Sequence, residues 1–190
     1  MLREIGYWID EKRKEVNKTP LKQRAKINFR KAGEVRKPGA PVQESFLRFA
    51  RDWKIQVDLP ESAVIIPHHI AETSQRPDII LTSAALKQLN IIELTVPTED
   101  RFQISSELKK TKYENDIKVA AEKKGWKTTI WTVEVGCRGF LAPSTLRLLK
   151  EIGYQGKRKK EIARKLGGIA EECSMHIWKT CYFKSWGEVA

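Results

Sequence analysis

The stretch RPDIILTSAALKQLNIIELTV, residues 76–96, contains two short apolar runs joined by a more polar connection. The runs at 78–82 and 90–96 are rich in Ile, Leu, Val and Thr, which is typical of strands buried on both faces of a sheet. Asp78 opens the first run and Glu93 lies inside the second. A carboxylate within an apolar strand costs free energy unless it is paired or binds a metal. If the two strands pair, the two carboxylates can converge at one end of the sheet.

The sequence on either side of this stretch predicts further helices and strands. Apolar spacing indicates a helix when it follows a period near 3.6 and a strand when it alternates. The expected elements are a helix over about 41–53, a strand over 54–59, a helix over about 101–124, a strand over 126–136, and trailing helices from 143 to about 183. In the 101–124 helix, the apolar face is expected to comprise Phe102, Ile104, Leu108, Tyr113, Ile117 and Ala120. This order of elements predicts an α/β sandwich around a mixed sheet, with the trailing helices packed outside it or on a partner.

The first part of the chain differs in composition from the rest. Residues 1–38 carry 12 Lys or Arg against 5 Asp or Glu, a local net charge of +7. Their apolar residues show no sustained period, and the segment ends in a Pro- and Gly-containing stretch that is typical of a linker. We therefore expect a basic N-terminal arm or linker over 1–38 and one domain over 39–190.

The charge balance indicates a polyanionic partner. Lys and Arg number 36 against 24 Asp and Glu, which gives a net charge of +12. DNA is the expected partner, with RNA as the alternative. No run approaches the length of a membrane span, and the first residues lack the apolar core of a signal peptide, so we expect no membrane partner and an intracellular, nuclear location.

The candidate chemistry is hydrolysis of a phosphodiester bond. This reaction needs a metal ion to activate water and to stabilise charge on the phosphate. Mg²⁺ prefers oxygen ligands, and one or two carboxylates commonly hold it. Asp78 and Glu93 would supply such oxygens, while Lys109 and Lys112 follow on the next predicted helix and share a face.

The motifs resemble a known nuclease family. Arg76-Pro77-Asp78, 14 further residues and then Glu93 resemble the K/R-PD-x12-14-E signature of the PD-(D/E)xK restriction-like endonuclease domain of site-specific non-LTR retrotransposons. KTKY (110–113) and VEVGCRGF (133–140) also resemble sequence of such proteins. The resemblance covers about 41–185 and implies an αβββαβ core with a mixed sheet.

The resemblance also assigns roles to individual residues. It implies Asp78 and Glu93 as ligands of Mg²⁺ or Mn²⁺, Lys109 or Lys112 as the catalytic cation, and Glu44 as an accessory acid. One departure is Thr95, which stands where the wider superfamily has a lysine. Reverse transcriptase and CCHC motifs are missing, so we expect a fragment, a domesticated remnant or an isolated domain.

Simpler interpretations remain for the same residues. Asp78 could be a strand-end residue after proline, and Glu93 could form a cross-strand ion pair with a basic neighbour. Glu44 could only stabilise a helix dipole, and we expect Glu134 to be an ordinary strand carboxylate. Two functions therefore stay open, a metal-dependent endonuclease that nicks DNA and a non-catalytic nucleic-acid-binding remnant of such a domain.

Overall fold

A four-stranded mixed sheet organises the part of the chain that the computed structural model describes, residues 1–19 and 45–181. The strands follow one another across the sheet in chain order. The first three pair antiparallel and the last pairs parallel to the third. Their bounds are β1 Lys54–Val57, β2 Ile79–Ser83, β3 Gln88–Thr95 and β4 Lys127–Glu134. The α/β class and the mixed sheet are thus confirmed.

Of the helix predicted over 41–53, the described residues 45–53 contain one short helical turn. A 3₁₀ helix spans Phe46–Phe49, and the Ser45 hydroxyl accepts a hydrogen bond from the backbone N–H of Leu47 at its start. Residues 20–44 lie outside the described residues. The proposed accessory acid, Glu44, is among them, so its position relative to the sheet is not part of this structure.

The connection between β3 and β4 is helical, as predicted, but its first half presents a different face to the sheet. It consists of a 3₁₀ turn at Glu99–Arg101, α2 at Phe102–Tyr113, a π-helical turn at Glu114–Lys118 and α3 at Val119–Lys123. Tyr113, Ile117 and Ala121 are fully buried at a spacing of four residues.

The expected apolar face was wrong in the first half of this helix. Ile104 is 58% exposed and Leu108 is 68% exposed. Counting back from buried Tyr113 in steps of four and three reaches Lys109 and Ser106, so these polar residues lie on the inward side. The side chains that face the sheet at this point are therefore polar.

The opposite face of the sheet is covered by three helices, α1 (Leu2–Lys18), α4 (Pro143–Ile152) and α5 (Gly156–Thr180). α4 begins at a proline and ends at Gly153 with φ of 114°, as the sequence predicts. α5 is one continuous helix. Its buried positions are Ile162, Leu166, Gly167 and Ala170. The trailing helices thus pack on the sheet of this chain, although most of the last three turns of α5 is exposed.

Helix α1 belongs to this core, which differs from the expectation of a basic arm over 1–38. Ile5, Trp8 and Ile9 are at most 5% exposed and pack with residues of β2, β4, α4 and α5. The Tyr154 hydroxyl donates to the Trp8 carbonyl oxygen at 2.8 Å and fixes the helix to the α4–α5 connection. This apolar face was not predicted from the sequence because α1 is rich in Lys and Arg, which made the segment resemble a basic arm. The remainder of the expected arm and its boundary at 38/39 fall outside the described residues.

None of the helices in the described ranges combines the length and the apolar character that crossing a bilayer requires.

Candidate active site

Three carboxylates lie in a row across one end of the sheet. The antiparallel register that pairs Ile79 with Ile92 brings Asp78 opposite Glu93, just beyond the last paired residues. The backbone N–H of Asp58 donates to the Asp78 carbonyl oxygen at 2.7 Å, which continues the row onto β1. Because side chains alternate along a strand, all three project on the face covered by α2.

Asp78 and Glu93 hold each other through the backbone. The Asp78 N–H donates to Glu93 Oε2 at 3.1 Å, and Asp78 Oδ2 accepts from the N–H of Leu94 at 2.8 Å. The convergence expected from the sequence is therefore present. Backbone N–H groups of the paired strands hold both carboxylates in place. Moving either carboxylate would therefore break a hydrogen bond between the two strands.

Helix α2 places a cation and a phenol on Glu93. Lys109 Nζ lies 2.6 Å from Glu93 Oε1, and the Tyr113 hydroxyl donates to the same oxygen at 3.0 Å. Lys109 and Tyr113 are one helical turn apart and so reach the same point. Glu93 is 3% exposed, whereas the Lys109 side chain is 33% exposed. Lys109 thus forms a bridge between the buried carboxylate and solvent.

Lys112, the other candidate cation, is one step further away. Its Nζ lies 3.4 Å from the Tyr113 hydroxyl and 4.8 Å from the centre of the Tyr113 ring. The Lys112 ammonium therefore contacts the Tyr113 hydroxyl, which in turn donates to Glu93, and it makes no direct contact with Glu93. Of the two lysines, only Lys109 contacts a carboxylate of the row among the described residues.

The electrostatics of the row favour added positive charge. Burial raises the pKa of Asp78 above its ordinary value, and the charges of Glu93 and Asp58 act in the same direction. The Leu94 N–H and the Lys109 ammonium oppose this shift without cancelling it. Burial, followed by the adjacent Glu93 charge, also raises the pKa of Tyr113, so this phenol remains a hydrogen-bond donor.

Asp58 is the member of the row that sequence reasoning missed. Its Oδ1 pairs with the Arg76 guanidinium and accepts the N–H of Val64 at 3.0 Å. A sequence signal did exist, because Asp58 directly follows the alternating strand Lys54–Val57, just as Asp78 directly precedes the next one. Pairing the two strands would have brought the two residues together.

Thr95 and Glu134 lie beyond the row on neighbouring strands. They are register partners in the parallel pair of β3 and β4. Glu134 is 1% exposed, and one of its oxygens accepts from the Ser144 hydroxyl. Thr95 Oγ1 and Glu134 Oε1 are buried with no hydrogen-bond partner in the described part of the chain. Glu134 is thus a carboxylate that helps to fix the start of α4.

The donor set suits a hard divalent cation, although it is sparse. Within residues 1–19 and 45–181, no three His, Cys, Asp or Glu side chains form a group that could hold a metal ion. The candidate ligands are therefore the two carboxylates of Asp78 and Glu93. Oxygen donors of this kind fit Mg²⁺ or Mn²⁺, which commonly complete their coordination with water and phosphate oxygens. Burial and, after it, the charge of Glu93 disfavour the ionised form of Asp78, and a cation bound between the two carboxylates would offset both effects.

Comparison with known proteins adds no family. No family model matches the chain, and no curated protein matches it significantly.

Proposed function

We propose that this protein is a metal-dependent endodeoxyribonuclease that nicks a DNA strand, with Mg²⁺ or Mn²⁺ held by Asp78 and Glu93. The observation that carries the proposal is the ion pair between Lys109 and Glu93, immediately beside Asp78. A buried Glu93 beside a half-buried Asp78, with one ammonium group at the solvent side, supplies the types of group that phosphodiester hydrolysis requires.

Each residue of the site has a distinct task in this proposal. The bound cation supplies Lewis-acid activation of water and of the phosphate. Lys109 places positive charge where charge develops on the phosphate oxygens. Tyr113 orients Glu93 by its hydrogen bond, and Lys112 adds charge behind the phenol. Asp58, which neighbours Asp78 in the row, holds Arg76 by an ion pair.

The proposal includes a restriction-endonuclease-like fold and an origin in a non-LTR retrotransposon. Support for the fold comes from the order of three strands, a helix and a fourth strand, with the acidic pair on the second and third strands. The Arg76-Pro77-Asp78 and Glu93 signature supports the origin. A nuclear location follows from that origin and from a DNA substrate, and it belongs to the same proposal.

The decisive experiment is nicking of supercoiled plasmid by the full chain with Mg²⁺, Mn²⁺ or EDTA. Asp78→Asn and Glu93→Gln keep the size of the side chains but remove the charge. We expect both variants to lose metal-dependent nicking while retaining DNA affinity, because the basic residues that contact phosphate are untouched.

Glu107→Gln is the matched control, since Glu107 is an exposed acid on the same helix as Lys109. It should nick as the unmodified chain does. Nicking that persists equally in Asp78→Asn and Glu93→Gln would reject this active site.

The second candidate function is nucleic-acid binding without catalysis. It is favoured by the same ion pair, because Lys109 already neutralises Glu93, and by Thr95 at the position of the superfamily lysine. The two functions differ in their response to metal. A binding remnant would bind DNA equally with Mn²⁺ and with EDTA, and its thermal stability would not depend on the metal. The nuclease should gain stability from Mn²⁺, and Asp78→Asn should abolish that gain.

A further inference from the structure

An exposed aromatic side chain stands on a short braced loop beyond β4. The loop spans Cys137–Leu141, and Phe140 on it is 65% exposed. The Gly136 N–H donates to the Phe140 carbonyl oxygen at 2.6 Å, and the Gly139 N–H donates to the Gly136 carbonyl oxygen at 2.8 Å. These bonds fix the backbone on both sides of Phe140. Because the loop backbone is already fixed, binding a ligand on the Phe140 ring costs little further conformational entropy of the loop.

The loop is tied to the strand that carries Glu93. The Cys137 N–H donates to the Pro97 carbonyl oxygen at 3.0 Å. Both the backbone N–H and the guanidinium of Arg138 donate to the carboxylate of Glu99, at 3.0 and 2.9 Å. Pro97 is four residues past Glu93, which corresponds to about 13 Å along extended chain. The loop therefore begins a few nucleotide lengths from the candidate active site.

On its other side the loop rests against α5. A Cβ atom built on Gly139 would lie 3.0 Å from the Gly167 carbonyl oxygen, and Gly139 has a φ of +88°. Only glycines permit this approach of the two backbones. Gly139 and Gly167 thus join the loop to the middle of the long helix.

A line of basic residues runs along α5 from this contact. Gly167, Arg164, Lys160 and Lys157 are spaced by three or four residues and so lie on one face. We define Lys157, Lys160 and Arg164 as the basic stripe. All three are exposed and form no ion pair within the described residues. From Gly167 to Lys160 the helix rises by about 10 Å, comparable with about three nucleotide steps along a strand.

We propose that a DNA strand with unstacked bases passes from the carboxylate row, around the end of the sheet and over Phe140, to the basic stripe on the side of the sheet that α5 covers. One base stacks on the Phe140 ring, and the stripe contacts the phosphates that follow. Stacking on an aromatic side chain together with a basic track is how proteins hold single strands without reading their sequence. This proposal rests on the proposed function for its DNA substrate and goes further by naming the form of that substrate.

Charge and shape favour a nucleic-acid strand over a protein partner on this surface, and the proposed function makes that strand DNA. The stripe presents three cations in a row on a protein with a net charge of +12, which suits a polyanion with regularly spaced charges. A single ring on a rigid loop suits one flat base better than it suits an apolar protein surface, which would need a larger patch.

The experiment measures binding of a fluorescent single-stranded DNA by anisotropy, over a range of salt concentrations, in the full-length Asp78→Asn background. That background prevents cleavage, so failure of the nuclease proposal leaves the binding result readable. A 2-aminopurine within the strand reports stacking directly. The test variants are Phe140→Ala, Phe140→Trp and the double change of Lys160→Gln with Arg164→Gln.

We expect Phe140→Ala to weaken binding by roughly 5- to 150-fold and to remove the 2-aminopurine quench, without changing the salt slope. Phe140→Trp should preserve both signals, because it keeps an aromatic face. The double change in the stripe should lower the slope of log K against log salt by about 1.4, since two phosphate contacts are lost.

Matched controls are Phe49→Ala, which removes an aromatic residue that is 58% exposed, and the double change of Lys123→Gln with Lys127→Gln. If Phe140→Ala behaves as Phe49→Ala does, stacking on the loop is rejected. If the stripe and control pairs change the slope equally, the track is rejected. Equal losses on blunt duplex DNA would overturn the unstacked substrate, and tighter Phe140-dependent binding of RNA would overturn the choice of DNA.

Discussion

Asp78 and Glu93 are bound reciprocally: the N–H of Asp78 donates to Glu93 Oε2, while Asp78 Oδ2 accepts the N–H of Leu94, the residue after Glu93. Each carboxylate therefore helps to hold the strand that carries the other. Replacement by the corresponding amide preserves an acceptor oxygen, whereas replacement by alanine removes it. For this reason Asn and Gln variants separate the loss of charge from the loss of local structure.

Lys109 should matter more for nicking than Lys112. Only Lys109 contacts Glu93 directly, at 2.6 Å, while Lys112 is separated from it by the Tyr113 phenol. We expect Lys109→Met to reduce the nicking rate by about 10²- to 10³-fold, the usual effect of removing one group that stabilises transition-state charge. Lys112→Met should reduce it by less than about 10-fold. The measurement is the initial nicking rate at saturating Mg²⁺.

Measuring the stability of the Lys109 variants beside their nicking rates tests whether Lys109 has a purely structural role. Removing the ammonium leaves Glu93 buried with fewer partners, so Lys109→Met should also lower the free energy of unfolding. Lys109→Arg keeps the positive charge, which should restore stability. Equal rates for the Lys109 and Lys112 variants, with the stability of each unchanged, would contradict the assignment of Lys109 as the cation.

The charge on Asp78 should destabilise the fold in the absence of metal. Burial raises the pKa of Asp78, so between its ordinary value and the raised pKa the folded chain binds a proton that the unfolded chain has lost. The contribution of this group to stability is therefore present at low pH and is lost as the pH rises through that window. At pH 7 in EDTA, Asp78→Asn should be more stable than the unmodified chain, and the difference should vanish near pH 3.

Urea denaturation at both pH values, with Glu107→Gln as the control, measures this difference. Addition of Mg²⁺ at pH 7 should stabilise the unmodified chain and leave Asp78→Asn unchanged. A variant that is less stable than the unmodified chain in EDTA at pH 7 would show that the Asp78 carboxylate is already neutralised without metal.

The sequence predicted the sheet well because its strands have local signatures. The alternation in 54–57 and the apolar runs around Asp78 and Glu93 each identify a strand without knowledge of the partner. The inward side of α2 was mispredicted because polar Lys109 and Ser106 occupy it. Lys109 bonds Glu93, and Ser106 shares a hydrogen bond of 2.8 Å with Thr132. Local hydrophobicity cannot reveal contacts that are made between polar groups of distant segments.

The same limit explains the choice between the two lysines and the omission of Asp58. Lys109 and Lys112 share one face of an ideal helix, but the Tyr113 hydroxyl lies between Lys112 and Glu93, so Lys109 is the lysine that reaches Glu93 directly. Asp58 joins the row through pairing of β1 with β2, across a connection of about twenty residues. Strand pairing over such a distance is a tertiary property, so the place of Asp58 at the end of its strand indicates the row only once that pairing is known.

Glu134 provides a test of the cost of a buried carboxylate. It is 1% exposed, one oxygen accepts from Ser144, and the other has no partner among the described residues. Glu134→Gln removes the charge and supplies two N–H donors beside Thr95, its register partner, whose Oγ1 also lacks a hydrogen-bond partner among the described residues. We expect the free energy of unfolding to stay equal or to rise by about 1 kcal/mol. Chemical denaturation checks this, and a loss above about 2 kcal/mol would show that the carboxylate is satisfied and stabilising.

Helix α1 should be required for folding, so a chain that starts at Gly39 should not fold. Ile5, Trp8 and Ile9 fill the core between the sheet and helices α4 and α5, and the Trp8 carbonyl accepts the buried Tyr154 hydroxyl. Trp8→Ala alone should cost about 3–5 kcal/mol, because it leaves a large cavity. Domains of this size are stable by only about 5–15 kcal/mol, so loss of all three side chains exceeds what the fold can tolerate.

Lys14→Gln is the control, since Lys14 on the same helix is exposed and pairs only with Asp10 among the described residues. Circular dichroism and urea denaturation of the truncated chain, Trp8→Ala and Lys14→Gln measure these effects. A truncated chain that unfolds cooperatively with unchanged stability would show that residues 1–38 are an arm after all, and its DNA affinity could then be compared directly with that of the full chain.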